Sequence, residues 1–159
     1  MCTLSCIAWI GPTGWLMEIE KDKKLAELLK NHSRNFLVMA FCTDYNKRID
    51  IPDGYGQSTN ECGDTVEIFL TVRGEKIVSV SLDVDGCINT NACANAVAFM
   101  AEGTKVGRAW GITPENVIDY LETLPAREIH CAELAVSALR KALVKFTEFK
   151  RAPWKKLYF

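Results

Sequence analysis

Residues 61–87 read ECGDTVEIFLTVRGEKIVSVSLDVDGC and contain two segments in which every second residue is apolar. The alternating apolar positions are Val66, Ile68, Leu70 and Val72, followed by Val78, Val80, Leu82 and Val84. Successive side chains of a strand point to opposite faces, so this alternation predicts two strands that each bury one face. Between them, the charged, glycine-containing stretch Arg73–Lys76 is typical of a turn. The segment therefore predicts an antiparallel hairpin with one face in the core.

Three cysteines lie where turn signals meet periodic segments: Cys62, Cys87 and Cys131. At such a junction a thiolate can point into a shared pocket, where it is a good metal ligand. The cysteines are 25 and 44 residues apart along the chain (87 − 62 and 131 − 87). These spacings are far longer than those of zinc fingers or ribbons, whose cysteine pairs bind zinc locally. The three thiols can form one metal or sulfur site only if the fold brings them together.

The composition indicates one globular domain. The 159 residues are 48% hydrophobic and carry a formal net charge of −1, which is enough apolar material for a core. The balanced charge gives no reason to expect a nucleic-acid partner. Seven cysteines and an N-terminus without a signal-peptide pattern predict reduced thiols in the cytoplasm. The apolar run Ile7–Met17 is interrupted by Gly11 and Pro12 and is too short for a bilayer, so we expect no membrane segment.

The N-terminal part predicts an extension followed by a helix. Residues 1–19 are apolar without a clear period, and Cys2 and Cys6 within them have no partner motif for a metal site. The next stretch, Glu20–Asn31, reads EKDKKLAELLKN and spaces its leucines as a short docking helix does.

A strand and a loop are predicted between that helix and the hairpin. The apolar run Phe36–Cys42 has the length of a buried strand, although its period is also compatible with a helix. Cys42 is then a core residue. The stretch Asp44–Asn60 is rich in Asp, Asn, Pro and Gly and predicts a mobile polar loop.

Two helices are predicted directly after the hairpin. The first covers Asn89–Ala101, just after Cys87, and its dipole favours a thiolate at that cysteine. Cys93 lies inside this helix and is expected to be a small packing residue rather than a ligand. The second helix begins with Thr113 as N-cap and Pro114 as its first residue.

The last helix is predicted over Ile129–Phe149, followed by a basic aromatic tail at residues 150–159. Cys131 continues the apolar stripe of this helix, and its place in the first turn favours an anionic sulfur. The neighbouring His130 lies about 100° around the helix and is a candidate ligand or proton donor.

Three motifs in this order resemble the IscU/NifU-type iron-sulfur cluster assembly scaffolds. They are Glu61–Thr65 (ECGDT), Asp85–Cys87 (DGC) and Ile129–Ala135 (IHCAELA). The resemblance covers residues 52 to 149 and implies an α+β fold in which a small antiparallel sheet, of about three strands, packs against several helices. It places a single scaffold domain at residues 20–149. It also carries five residues onto the family's cluster site: Cys62, Asp64, Cys87, His130 and Cys131.

The resemblance implies a carrier and not an enzyme. Such a scaffold accepts sulfur from a cysteine desulfurase, here with Cys131 as the candidate persulfide acceptor, collects iron and transfers a cluster to apo iron-sulfur proteins. The implied cargo is a transient two-iron two-sulfur cluster, and Zn²⁺ is expected as a substitute in the isolated protein. Three thiolates with a weaker fourth ligand, Asp64 or His130, suit a cluster that must be released.

The chain departs from the family at several places. The stretch Asn31–Asn35 lacks the proline of the family's N-terminal segment, and the chaperone-binding stretch is altered to LPARE at Leu124–Glu128. A chaperone partner therefore rests on a degenerate motif. Glu128 stands where the family has a lysine two residues before the histidine.

Two alternatives remain open, the second because of these departures. One is a sulfur acceptor in which Zn²⁺ bound by Cys62, Asp64, Cys87 and Cys131 controls a reactive thiol. The other is a zinc-stabilised interaction module.

Overall fold

The computed structural model describes residue 27, residues 30–47 and residues 49–158. Its regular elements in chain order are α1 (Arg34–Ala40), β1 (Gly54–Thr59), β2 (Thr65–Arg73), β3 (Lys76–Asp85), α2 (Ile88–Ala101), α3 (Val106–Ala109), α4 (Pro114–Leu121) and α5 (Ile129–Arg151), with 3-10 turns at Ala126–Glu128 and Pro153–Tyr158. The predicted α+β fold with a small antiparallel sheet is confirmed.

The sheet is a meander in the order β1-β2-β3, and its two later strands form the predicted hairpin. Val66, Ile68 and Leu70 are fully buried, as the alternation predicts. The register shifts between Thr71 and Val72. Because a β-bulge of this kind moves side chains to the other face, the prediction that Val78 is buried was wrong. Val78 is exposed, and Ile77 is buried in its place.

The prediction of a polar loop over Asp44–Asn60 was wrong at its end, because Gly54–Thr59 form strand β1. Its sequence, GYGQST, has no apolar alternation, and its core-facing positions Gly54 and Gly56 carry no side chain. A Cβ atom at Gly56 would lie 2.2 Å from the Ala138 carbonyl oxygen of α5. The strand therefore belongs to the sheet because its glycines let the helix backbone approach it.

The run Phe36–Cys42 was predicted as a strand, and that prediction was wrong, because residues 34–40 form helix α1. Ser33 caps this helix by accepting a hydrogen bond from the Phe36 N–H (3.1 Å). The buried Asn95 side chain of α2 donates to the carbonyl oxygens of Met39 (3.0 Å) and Cys42 (3.2 Å) and so secures the end of α1. Cys42 is half-buried and packs against the core.

The predicted helices after the hairpin are confirmed with nearly the expected bounds. Helix α4 begins with a capping box in which Thr113 and Asn116 satisfy each other's backbone N–H groups. Helix α5 covers β1 and β2, while α2 lies against β3 and α5. The core between these layers includes Phe36, Met39, Val66, Ile68, Leu70, Val97, Leu121, Leu139 and Leu143.

Most of the N-terminal predictions lie outside the described residues. These are the extension at residues 1–19 with Cys2 and Cys6, and nearly all of the helix predicted over Glu20–Asn31. At the other end, the tail forms a 3-10 turn against α5, and Lys156 Nζ lies 2.5 Å from Asp53 Oδ1. Within the part of the chain that the structure describes, no helix is both long and apolar enough to cross a membrane.

Candidate metal and cluster site

The three junction cysteines lie at the end of the sheet where the turn between β1 and β2 meets the end of β3. Cys62 is in the turn between those two strands, Cys87 is the N-cap of α2, and Cys131 is in the first turn of α5. The register pairs Thr65 with Asp85, which brings the turn and the start of α2 to the same edge. The topology thus brings together residues that are far apart in sequence.

The turn that carries Cys62 is held by Asn60. The Asn60 side-chain oxygen accepts from the Asp64 N–H (3.0 Å), and the Asn60 carbonyl oxygen accepts from the Gly63 N–H (3.1 Å). Gly63 has a φ of +88°, which glycine adopts without the steric cost of a side chain. The turn leaves Cys62 exposed and directs Asp64 toward α2.

Asp64, Cys87 and Cys131 form one group of candidate ligands. One donor atom from each lies within 4.8 Å of the others. Gly86 leaves room beside this group, because a Cβ atom there would lie 3.0 Å from the Asp64 carboxylate and crowd it. Cys87 is exposed and Cys131 is buried, so the group reaches from the solvent to the edge of the core.

Thr90 lies at the centre of this group and was missed by the sequence analysis. Its side chain is fully buried, and its hydroxyl donates to Asp64 Oδ2. The Thr90 hydroxyl oxygen also lies 3.4 Å from the sulfur atoms of both Cys87 and Cys131. The available signal was its position three residues after Cys87, because such residues share a helix face.

His130 lies on the rim of the site and contacts two of the cysteines. Its Nε2 atom is 3.6 Å from Cys131 Sγ and 3.9 Å from Cys62 Sγ. Its Nδ1 atom is 3.1 Å from the Arg127 carbonyl oxygen. Because a carbonyl can only accept, we assign the proton to Nδ1, which leaves the Nε2 lone pair directed at the thiols.

The prediction that the helix start makes Cys131 a thiolate was wrong for the metal-free chain. Burial raises the pKa of Cys131 to about 12, and the hydrogen bond from Thr90 lowers it only in part. Desolvation of the anion outweighs the helix dipole here. A bound metal would reverse the balance, since a coordinating thiol is deprotonated by the ion's charge.

A second group of candidate ligands consists of Glu128, His130 and Cys131. Glu128 Oε2 lies 3.7 Å from Cys131 Sγ and 3.8 Å from His130 Nε2. Cys131 therefore belongs to both groups. Cys62 lies outside both groups and reaches them through its contact with His130.

Comparison with known proteins agrees with this architecture. The profile of the NifU-like N terminal domain family matches residues 45–152. The chain belongs to this family. The iron-sulfur cluster assembly scaffold protein IscU 1 of Archaeoglobus fulgidus is 33% identical over 100 residues, a match that covers 62% of this chain and 65% of the relative. The chain thus spans slightly less than two thirds of that relative's length.

Solved structures show the same fold as this NifU-like domain. The N-terminal part of a nitrogen-fixing NifU-like protein from Brucella abortus superposes with a TM-score of 0.61 at 18% identity, covering 73% of this chain and 94% of that structure. A candidate iron-sulfur cluster assembly scaffold protein for the SUF system from Fervidobacterium islandicum gives a TM-score of 0.62 at 19% identity, covering 72% and 97%.

The remaining described cysteines of the NifU-like domain, Cys93 and Cys42, are in neither group of candidate ligands. Cys93 is fully buried within α2, and burial raises its pKa strongly, as expected for a packing residue. Cys42 packs against the core at the end of α1. All five cysteines of the described residues are free thiols.

Proposed function

We propose that this NifU-like domain is a scaffold for iron-sulfur cluster assembly, which accepts sulfur from a cysteine desulfurase, collects iron and transfers a labile cluster to apo iron-sulfur proteins. The observation that carries the proposal is the grouping of Asp64, Cys87 and Cys131 within 4.8 Å, beside Cys62 and His130. The names of the similar proteins point the same way.

The donor set supports a cluster that is held for a limited time. Thiolates from Cys62, Cys87 and Cys131 suit iron in a sulfide cluster, whereas the Asp64 oxygen or the His130 nitrogen would be a weaker fourth ligand. The transient cargo we propose is a two-iron two-sulfur cluster. Electron carriers hold their clusters permanently, usually with four cysteines, and this site offers three.

Exposure also supports release at one side of the site. Cys62 and Cys87 are exposed, and Cys131 is buried against Thr90. A thiol of an acceptor protein could reach iron held by the two exposed cysteines, while Cys131 keeps its place in the helix. Transfer would thus proceed by stepwise exchange of thiolate ligands from the outer side inward.

We propose that Cys131 is the residue that accepts sulfur as a persulfide. The Cys131 thiolate would attack the outer sulfur of the desulfurase persulfide, form the new sulfur–sulfur bond and release the desulfurase cysteine as a thiolate. Because burial raises the pKa of Cys131 to about 12, a bound metal ion would favour this step by stabilising the thiolate, and His130 Nε2, 3.6 Å from Cys131 Sγ, could accept the proton. The persulfide should therefore form in the Fe²⁺-loaded protein and much more slowly in the metal-free protein, as mass spectrometry of the intact chain would show.

The cysteine ligands of a scaffold restrict the compartments in which it can work. Ligand cysteines must stay reduced, so we propose a cytoplasmic location. We propose no catalytic role for the domain itself.

Transfer of the cluster with the help of a chaperone would use the stretch Leu124–Glu128, in which Ala126 and Arg127 are exposed on a 3-10 turn.

A zinc site is the alternative that one observation favours. Asp64, Cys87 and Cys131, with Cys62 nearby, offer the one-oxygen, three-sulfur set that a four-coordinate Zn²⁺ ion accepts. Such a site would serve a zinc-dependent sulfur acceptor or a zinc-stabilised interaction module.

Anaerobic reconstitution separates the scaffold from the zinc alternatives. The metal-free chain is incubated with Fe²⁺, cysteine, a cysteine desulfurase and a thiol reductant that supplies the remaining electrons, and is followed by optical and Mössbauer spectroscopy. The scaffold predicts a cluster spectrum that is lost in Cys87→Ala and kept in the control Cys42→Ala. A chain that binds Zn²⁺ tightly but forms no cluster, or that loses the cluster equally in both variants, would overturn the proposal.

A further inference from the structure

The Glu128, His130 and Cys131 side chains lie at distances that a metal ion could span. Bonds of about 2.3 Å to sulfur and about 2.0–2.2 Å to nitrogen and oxygen, at tetrahedral angles, place ligand atoms about 3.4–3.6 Å apart. The observed separations are 3.6 Å between Cys131 Sγ and His130 Nε2, 3.7 Å between Cys131 Sγ and Glu128 Oε2, and 3.8 Å between His130 Nε2 and Glu128 Oε2. The observed separations are thus equal to or only slightly longer than those of a metal-bound set.

The His130 ring is already oriented for ligation. The carbonyl oxygen of Arg127 lies 3.1 Å from Nδ1, which fixes the tautomer with Nε2 as the free lone pair. Metal-binding histidines commonly use their other nitrogen in this way. Arg127 Nε also lies 3.8 Å from Glu128 Oε1, while Glu128 Oε2 lies toward Cys131 and His130.

Glu128 places a carboxylate beside His130 and Cys131. Its negative charge, with that of the Cys131 thiolate, would neutralise a divalent ion. One oxygen, one nitrogen and one sulfur form a donor set of mixed hardness, which suits Fe²⁺ or Zn²⁺ better than Ca²⁺ or Mg²⁺.

We propose that Glu128, His130 and Cys131 form a second divalent-metal subsite, which shares the Cys131 sulfur with the Asp64–Cys87–Cys131 group and receives Fe²⁺ before it enters a cluster. The identity of the metal as iron rests on the proposed function; the existence of the subsite does not. Glu128 and His130 are each partly exposed, with 24% and 36% of their side-chain surface accessible. The subsite can therefore load from solvent and keep water as a further ligand.

Co²⁺ is a suitable probe, because its d–d and thiolate charge-transfer bands report coordination number and sulfur ligation. The test protein carries Asp64→Ala and Cys87→Ala, which remove the other two members of the first group. Anaerobic titration should give one bound Co²⁺ ion with a thiolate band. Adding Glu128→Gln should weaken that binding by at least about tenfold, since losing even a supporting partner of a metal site costs about that much.

Glu133→Gln is the matched control, because it removes the same charge from an exposed position in helix α5, which begins directly after Glu128, and Glu133 is in neither group of candidate ligands; it should leave Co²⁺ affinity unchanged. A folded test protein that binds no Co²⁺, or binds it equally with Glu128→Gln, overturns the subsite. If the double variant does not fold, the unchanged chain is compared with Glu128→Gln alone. The affinity for one of the bound Co²⁺ ions should then fall by at least about tenfold, and unchanged affinities overturn the subsite.

These outcomes are separate from those that test the scaffold. A chain that builds and transfers a cluster while Glu128→Gln leaves Co²⁺ binding unaltered overturns the subsite alone. A chain with Glu128-dependent Co²⁺ binding that never builds a cluster overturns the scaffold function alone.

Discussion

Replacing Gly56 with alanine should destabilise the domain strongly, because β1 rests directly on the backbone of α5. The added Cβ atom would lie 2.2 Å from the Ala138 oxygen, 2.4 Å from the Ala142 nitrogen and 2.9 Å from the Lys141 carbonyl carbon. Ordinary contacts at a Cβ atom begin at 3.4 Å. All three neighbours are helix backbone and cannot rotate away, so strand and helix must separate by about 1 Å.

Such overpacking costs about 1–3 kcal/mol, and the rigid backbone neighbours put Gly56→Ala at about 3 kcal/mol. For a domain of this size that free energy corresponds to a fall in Tm of about 10 °C. The separation should also disturb the site, because β1 leads into the turn with Cys62 and α5 begins with His130 and Cys131. Urea denaturation of the metal-free protein measures the free energy, and Co²⁺ titration measures the effect on the site.

Gly107→Ala is the matched control. Gly107 lies in α3, and a Cβ atom there would have no heavy atom within 4 Å. Alanine should leave stability unchanged or raise it by up to about 1 kcal/mol, since glycine costs a helix conformational entropy. If Gly56→Ala unfolds within about 1 kcal/mol of the unchanged protein, the direct packing of β1 on α5 is refuted.

Three further changes test the site itself. Asp64→Ala should hold a reconstituted cluster longer but transfer it more slowly to an apo-ferredoxin, because the weak oxygen ligand that admits competing thiols is gone; faster cluster decay with a lower Tm would favour the zinc module. Thr90→Val removes the hydroxyl that contacts Asp64 and Cys131 and should lower the unfolding free energy by about 1–2 kcal/mol. An unchanged urea midpoint would show that this hydroxyl has no structural role. Because burial raises the pKa of Cys131 to about 12, the folded state retains a proton that the unfolded state loses above about pH 8.5. The contribution of this protonated thiol to the unfolding free energy is complete below that pH and is lost as the pH rises toward 12. In urea melts, the unfolding free energy of Cys131→Ala should therefore fall less between neutral and alkaline pH than that of the unchanged protein. Iodoacetamide should label the exposed Cys62 at neutral pH long before Cys131.

The parts of the fold that sequence predicted are those whose signals are local. The hairpin follows from strict alternation, and α4 follows from the Thr113 cap and Pro114. The run at Phe36–Cys42 is too short for its period to distinguish strand from helix, so the Ser33 cap was the signal that should have decided it.

The parts that sequence did not predict depend on contacts between distant segments. Strand β1 has no apolar pattern, since its glycines are matched to the backbone of α5, a partner that its own sequence does not indicate. The motifs gave the candidate ligands of the site, but Thr90 acquires its place only when α2 meets α5. The protonation state of Cys131 was mispredicted because burial, a property of the whole fold, raises the thiol pKa by more than the local helix dipole lowers it.

Cluster transfer is the most direct test of the central claim. The chain is loaded anaerobically with a cluster, separated from free iron and sulfide, and mixed with an apo-ferredoxin in the presence of an iron chelator. The scaffold account predicts that the ferredoxin spectrum appears with one cluster transferred per cluster lost, at a rate the chelator does not change. A cluster that stays on the chain, or iron that goes to the chelator instead of the ferredoxin, would contradict it.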